Sequence, residues 1–205
     1  MTVVSWLTQI RVAGSVDRCA RRSLFSVLMR RVEKAEALEL LAVNRRELLG
    51  DDAGGCMMCA LAARAALEPT RPEVIADNEH GVVLFDHFGS SKGHLLVISK
   101  QHLLDTAELP WPVYAELQRL NYDACCALRR AFAPARIFSA VLGASCELPM
   151  SFPHFHIHAL PVYETDERAR PAHVFSWSAG VLVYEDDEVE RFSAQIRAAW
   201  PRRER

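Results

Sequence analysis

The sequence lacks several features, and each absence narrows what it can do. No apolar run approaches the ~20 residues that span a bilayer, and the N-terminus has no charged-then-apolar layout of a secretory signal. A membrane-bound or exported protein is therefore not expected, and the cytoplasm is the expected compartment. An excess of one charge is also missing. The 24 basic and 26 acidic residues leave a formal net charge of −2, so no overall positive field draws the chain onto nucleic acid. Internal repeats and long low-complexity stretches are absent too, which argues against a solenoid or a wholly disordered chain.

What is present fits an ordinary globular protein, since half of the residues are apolar and about a quarter are charged. A length of 205 residues suits one medium domain with an appendage. The first thirty residues form a locally basic arm, with Arg11, Arg18, Arg21, Arg22 and Arg30 against Asp17. From Val16 to Leu49, apolar residues such as Leu24, Val27, Leu28, Val32, Ala35, Leu38, Leu41 and Leu48 recur at three- and four-residue spacings. That rhythm predicts one or two amphipathic helices. The run Gly50-Asp51-Asp52-Ala53-Gly54-Gly55 ends any helix. Residues 1–55 are thus expected to be a helical extension with its linker, and 56–205 the main domain.

Within that domain, a short helix or turn is expected over Cys56–Leu67, with strands near Glu73–Ala76, Val82–Phe85 and His94–Ile98. Helical spacing of Val113, Leu117, Leu120, Ala124, Leu128 and Phe132 predicts a long helix between Pro110 and Phe132. Strands are expected at Arg136–Leu142, Pro153–Val162, Val174–Trp177 and Val181–Tyr184, and a closing helix at Val189–Trp200. This order describes an α+β fold, a mainly antiparallel sheet with a long helix packed on it.

The run His154-Phe155-His156-Ile157-His158 carries the chemistry. On an extended backbone, successive side chains alternate faces, so the three imidazoles are expected on one side and Phe155, Ile157 and Ala159 on the other. Three partly buried polar rings each need hydrogen-bond partners, which a purely structural role would have to supply three times over. Two chemistries suit them. Neutral imidazoles can ligate a metal that activates water, or one ring can attack phosphorus while its other nitrogen donates its proton to a backbone carbonyl.

The segment His154–Leu160 resembles the signature of the histidine-triad (HIT) superfamily, and Gly93-His94-Leu95-Leu96-Val97-Ile98-Ser99-Lys100-Gln101-His102 is similar to that family's upstream block. The resemblance covers about residues 56–165. It implies a nucleotide-binding hydrolase or nucleotidyl transferase, acting on nucleoside phosphoramidates or dinucleoside polyphosphates through a nucleotidyl-histidine intermediate. His156 would be the nucleophile, His158 would hold or protonate phosphate and leaving group, and His94 would border the pocket. Asp86 would hold the ribose hydroxyls, Ser151 would lie beside the phosphate, and the family's usual pairing implies a homodimer.

Cys56-Met57-Met58-Cys59 supplies half of a tetrahedral site, and in a reducing compartment such a pair points to metal or redox work. The resemblance completes it with His102 and His154 as a closed, structural zinc site. The loop Gly143–Ser151 departs from the family. Gly143, Pro149 and Met150 stand where many members have an Asn and a Gly-Gln pair, and Pro149 offers no backbone N–H. Lys92, Lys100 or an arginine of the extension are the cations at hand to compensate. The altered loop keeps a nucleotide-binding regulator as a rival, and the triad itself keeps a metal-dependent hydrolase.

Overall fold

The computed structural model describes residues 29–50, 54–143 and 152–202. Its first elements are strand β1 (Arg30–Val32) and helices α1 (Lys34–Leu49) and α2 (Met57–Leu67). Strands β2 (Val74–Asp77), β3 (Gly81–Phe85), β4 (Phe88–Gly89) and β5 (Leu95–Ser99) lead into the long helix α3 (Trp111–Phe132). Then come β6 (Arg136–Ala140), β7 (His156–Val162), α4 (Pro171–Phe175), β8 (Val181–Val183) and α5 (Asp186–Ala198).

Five strands form one antiparallel sheet in the order β2-β3-β5-β7-β6. Its register follows from alternation. Val83, Phe85, Leu95, Val97, Ile157 and Ala159 turn to one face and meet Leu117, Leu120, Ala124 and Leu128 of α3, with Phe192 and Ile196 of α5. Val82, Leu84, Leu96 and Ile98 turn to the other face and meet Met58, Ala62 and Ala65 of α2. The sheet is covered on both sides, so its central strands read as near-continuous apolar runs. Helix α3 tolerates Pro112 because it falls in the first turn, where the missing N–H has no intrahelical partner to lose. Gly93 enters β5 at φ +83, and a Cβ there would stand 2.7 Å from the Phe132 ring, so both backbone and packing demand glycine.

Three observations differ from the sequence expectations. Arg30–Val32, inside the stretch expected to be helical, is a strand that pairs with Val181–Val183, which in turn pairs with Phe88–Gly89. Three residues are too few for periodicity to separate strand from helix, and a distant partner decides. Residues 174 and 175, expected in a strand, close the short helix α4, which Pro171 starts with its fixed φ. Trp177 at φ +60 and Gly180 at φ +78 then reverse the chain into β8. Finally, β7 begins only at His156, so His154 precedes the strand.

Candidate active site and metal cluster

Strand β7 lies between β5 and β6, with His158 opposite Leu96 and His156 opposite Ile98. Both rings emerge on the α2 side and line a cleft of about 320 Å³, together with His94 and Asp86. Phe155 and Ile157 point the other way and are buried in the core. The alternation expected for the triad therefore sets His156 and His158 side by side, with ring centres 4.8 Å apart. The backbone breaks the expected row at His154, which does not line the cleft.

The His156 Nδ1–H donates to the His154 carbonyl at 2.8 Å. That bond assigns the tautomer and leaves Nε2 with its lone pair. Burial pushes the His156 ring below the ordinary histidine range, against the carbonyl contact that favours protonation. His158 is pushed down to about 2, by burial first and then by the neighbouring His94 and His156 rings. Its Nδ1 lies 3.0 Å from His94 Nε2, and His94 Nδ1 lies 3.0 Å from Asp86 Oδ2. Asp86 also accepts from the Phe88 amide at 2.9 Å. Burial alone would raise its carboxyl, but His94 and the Phe88 amide outweigh this and hold it below the ordinary value.

A second cluster sits at the other end of the triad. Ligand atoms of Cys56, Cys59, His102 and His154 all lie within 4.8 Å of one another. His154 Nε2–H donates to the Ser99 carbonyl at 2.8 Å. Its Nδ1 therefore presents a lone pair to Cys56 Sγ and Cys59 Sγ, each 3.4 Å away, and to His102 Nδ1 at 3.3 Å. A carbonyl-held imidazole facing two sulfurs and a second imidazole is a donor set that suits a tetrahedral cation. Burial, then the Cys56 side chain, pushes the Cys59 thiol up to about 11. A bound cation reverses that tendency, because a coordinating thiol is deprotonated. These four residues form a possible metal site.

The family comparison reads directly onto this geometry, with residues 70–165 matching the HIT domain model. Over that stretch the chain is similar to the histidine-triad family. An uncharacterized HIT-like protein of Mycoplasma genitalium is 29% identical over 91 residues, which are 44% of this chain and 64% of that protein. The chain thus matches somewhat less than two thirds of that relative's length. A hypothetical histidine triad nucleotide-binding protein from Sulfolobus tokodaii has the same fold at TM-score 0.54 and 20% identity, over 70% of this chain and 91% of that one. The diadenosine triphosphate hydrolase of Plasmodium falciparum, solved with Cyclomarin A, aligns at TM-score 0.50 and 15% identity, over 62% of this chain and 76% of that one. At these identities the structural likeness is one of fold.

In this chain, His94, His156, His158 and Asp86 meet at the cleft, and Cys56, Cys59, His102 and His154 meet beside it. Ser151 and its neighbours 144–150, including Pro149 and Met150, lie outside the described residues. Lys92 and Lys100 are directed elsewhere. The Lys92 ammonium stands 4.7 Å over the Phe132 ring, and Lys100 pairs with Asp77 at 3.1 Å. Among the described residues, Arg64 is the cation that lines the cleft. Sequence reasoning missed it, along with Asn44, Glu73, His87, Phe175 and Trp177, which also line the cleft. No motif marks these residues; helix α1, the segment before β2 and the turn before β8 bring them in from a distance. No helix among the described residues is long and apolar enough to cross a membrane.

Proposed function

We propose that this chain is a HIT-family nucleotide-handling hydrolase or nucleotidyl transferase, acting on nucleoside phosphoramidates or dinucleoside polyphosphates with His156 as nucleophile. The observation that carries this reading is the bond from His156 Nδ1–H to the His154 carbonyl, which leaves an unprotonated Nε2 at a cleft. Nε2 forms a bond to phosphorus, and the bond from phosphorus to the leaving oxygen or nitrogen breaks. The leaving group takes the Nε2 proton of His158 while His158 Nδ1 takes the Nε2 proton of His94, 3.0 Å away, so His158 stays a neutral imidazole and the proton lost comes from His94, which faces Asp86. Water, or another acceptor, then attacks phosphorus, the phosphorus–nitrogen bond breaks, and the attacking group's proton passes to His158 Nε2 as the Nδ1 proton of His158 returns to His94.

The likeness to a hypothetical nucleotide-binding protein of Sulfolobus and to the diadenosine triphosphate hydrolase of Plasmodium supports this reading. Asp86, beside the reacting rings, is the proposed ribose contact, and Ser151 the proposed phosphate contact. Zinc held by Cys56, Cys59, His102 and His154 is proposed as structural, tying the start of α2 to the triad. With four protein ligands it would offer substrate no open position. The divergence of His154 from His156 and His158 also counts against a metal-dependent hydrolase that uses all three rings. The proposed catalytic unit spans residues 56–205, in a homodimer and in the cytoplasm. Strand β6, which ends the sheet, and the exposed Tyr122 on α3 support pairing through that face.

The test is adduct trapping. Rapid quench with a dinucleoside polyphosphate should give a nucleotidyl adduct on the peptide containing His156, and none in His156→Asn. An adduct that persists in the variant, or turnover at the wild-type rate, removes the nucleophile assignment.

A further inference from the structure

The cleft extends well past the histidines. In register across the sheet, His158 faces Leu96 on β5, Leu96 faces Leu84 on β3, and Leu84 faces Val74 on β2. Adjacent strands lie about 4.8 Å apart, so the β2 end of this row is roughly 14 Å from the reacting rings. Glu73, next to Val74, lines that far end with Arg64 of α2, whose guanidinium it meets. The floor between is apolar, formed by Leu84 and Leu96 with Met58 above them. A slot with a phosphate-reactive end, an apolar body and a polar far end has the layout of one nucleoside 5′-phosphate.

The far end has a definite hydrogen-bonding character. The Glu73 side chain is only 7% exposed, and its Oε1 accepts from Arg64 Nη2 at 3.2 Å and from Arg71 Nε at 2.7 Å. Burial alone would raise its carboxyl, but Arg71 first among its contacts holds it ionised, below the ordinary value. An ionised carboxylate only accepts, and a guanidinium only donates. The pair therefore presents an acceptor and a donor next to each other.

Resting on the nucleotide reading above, we infer that Glu73 and Arg64 read the edge of the base and select guanine. Guanine offers two adjacent donors, the ring N1–H and the 2-amino group, to a carboxylate, and its O6 to a guanidinium. Adenine offers the same pair one amino donor and one ring acceptor. Uracil offers one ring N–H and one carbonyl, so guanine alone among these satisfies three contacts. Arg64 keeps its Glu73 contact while a second guanidinium N–H meets O6, because the group carries five donors in a fixed fork.

Isothermal titration of the full chain with GMP, IMP, AMP and ribose 5-phosphate tests this. The expected result is GMP bound about tenfold tighter than AMP, with IMP, which lacks the 2-amino group, falling to the AMP level. Glu73→Gln, which keeps the side-chain shape, should bring the GMP to AMP ratio to about one and leave ribose 5-phosphate binding unchanged. A merely structural Glu73 would not alter that ratio. AMP bound as tightly as GMP by the unsubstituted protein, or an unchanged ratio in Glu73→Gln, overturns the base assignment and leaves the His156 reading standing. Failure of every nucleotide and of ribose 5-phosphate to bind overturns both.

Discussion

Two histidines separated by a single residue, His154 and His156, end in different sites, and each is fixed by a backbone carbonyl. His154 donates through Nε2 to Ser99 and turns Nδ1 toward two sulfurs. His156 donates through Nδ1 to His154 and leaves Nε2 at the cleft. The same ring, held through opposite nitrogens, offers its lone pair in different directions. One arrangement suits a cation and the other an electrophilic phosphorus. Phe155 stands between them, buried on the opposite face, and fixes the spacing of both.

Substitutions can separate the two regions. The largest effect is expected from His156→Ala, which should lower kcat by about 10⁴-fold or more, near 5.5 kcal/mol in barrier, while zinc content and melting temperature hold. Steady-state kinetics with metal analysis would show it; loss of zinc in this variant would mean that the two sites are not separable. Phe155→Ala removes the buried wedge and should cost about 3–5 kcal/mol in a denaturant titration, with both zinc content and activity falling. Selective damage to one site would show that Phe155 does not brace both.

The full chain should bind roughly one equivalent of zinc, and Cys56→Ser should abolish that binding and lower stability by about 3 kcal/mol, with activity reduced through stability alone. Activity lost in a variant that is still folded at the assay temperature would tie the cluster to the chemistry itself.

Acid supplies the next test. His156 and His158 titrate near 6.5 in the unfolded chain and lower in the folded one. Below pH 6.5 the unfolded state binds protons that the folded state refuses. Stability is thus fully present above about 6.5 and is lost as pH falls, by up to about 2.7 kcal/mol per pH unit for two rings. Urea midpoints measured from pH 7.5 to 5 should show this slope, and substitution of both rings by Asn should flatten it. The smallest effect is expected at Leu67, which is 83% exposed at the end of the helix that serves both sites. Leu67→Ser should change stability by no more than about 0.5 kcal/mol, which sets the baseline for the other variants.

Much of the framework was legible before any coordinates. The helical spacing from Val113 to Phe132 marked α3 to within a residue of its observed ends, because a long amphipathic segment repeats its signal many times. The apolar runs at Val82–Phe85 and His94–Ile98 marked β3 and β5 for a different reason, since strands buried on both faces read as continuous apolar runs bounded by turn residues. Short segments were not legible in this way. Arg30–Val32 and Phe88–Gly89 are strands only because β8 lies between them. Residues 174 and 175 carry an apolar pattern that suits a strand, yet Pro171 winds them into a helix.

The sequence by itself determined the reactive alternation. Two-residue periodicity on an extended backbone puts His156 and His158 together and sends Phe155 and Ile157 into the core, wherever the strand is placed. It also held the Cys-x-x-Cys spacing, which brings two thiols to one point without help from the rest of the fold. Only the tertiary structure decided which way His154 faces, because β7 starts two residues later and the Ser99 carbonyl captures the ring. It also decided what else lines the cleft. Asn44, Arg64 and Glu73 come from separate segments with no common motif, and side chains that meet only across packed elements leave no periodic trace in the chain.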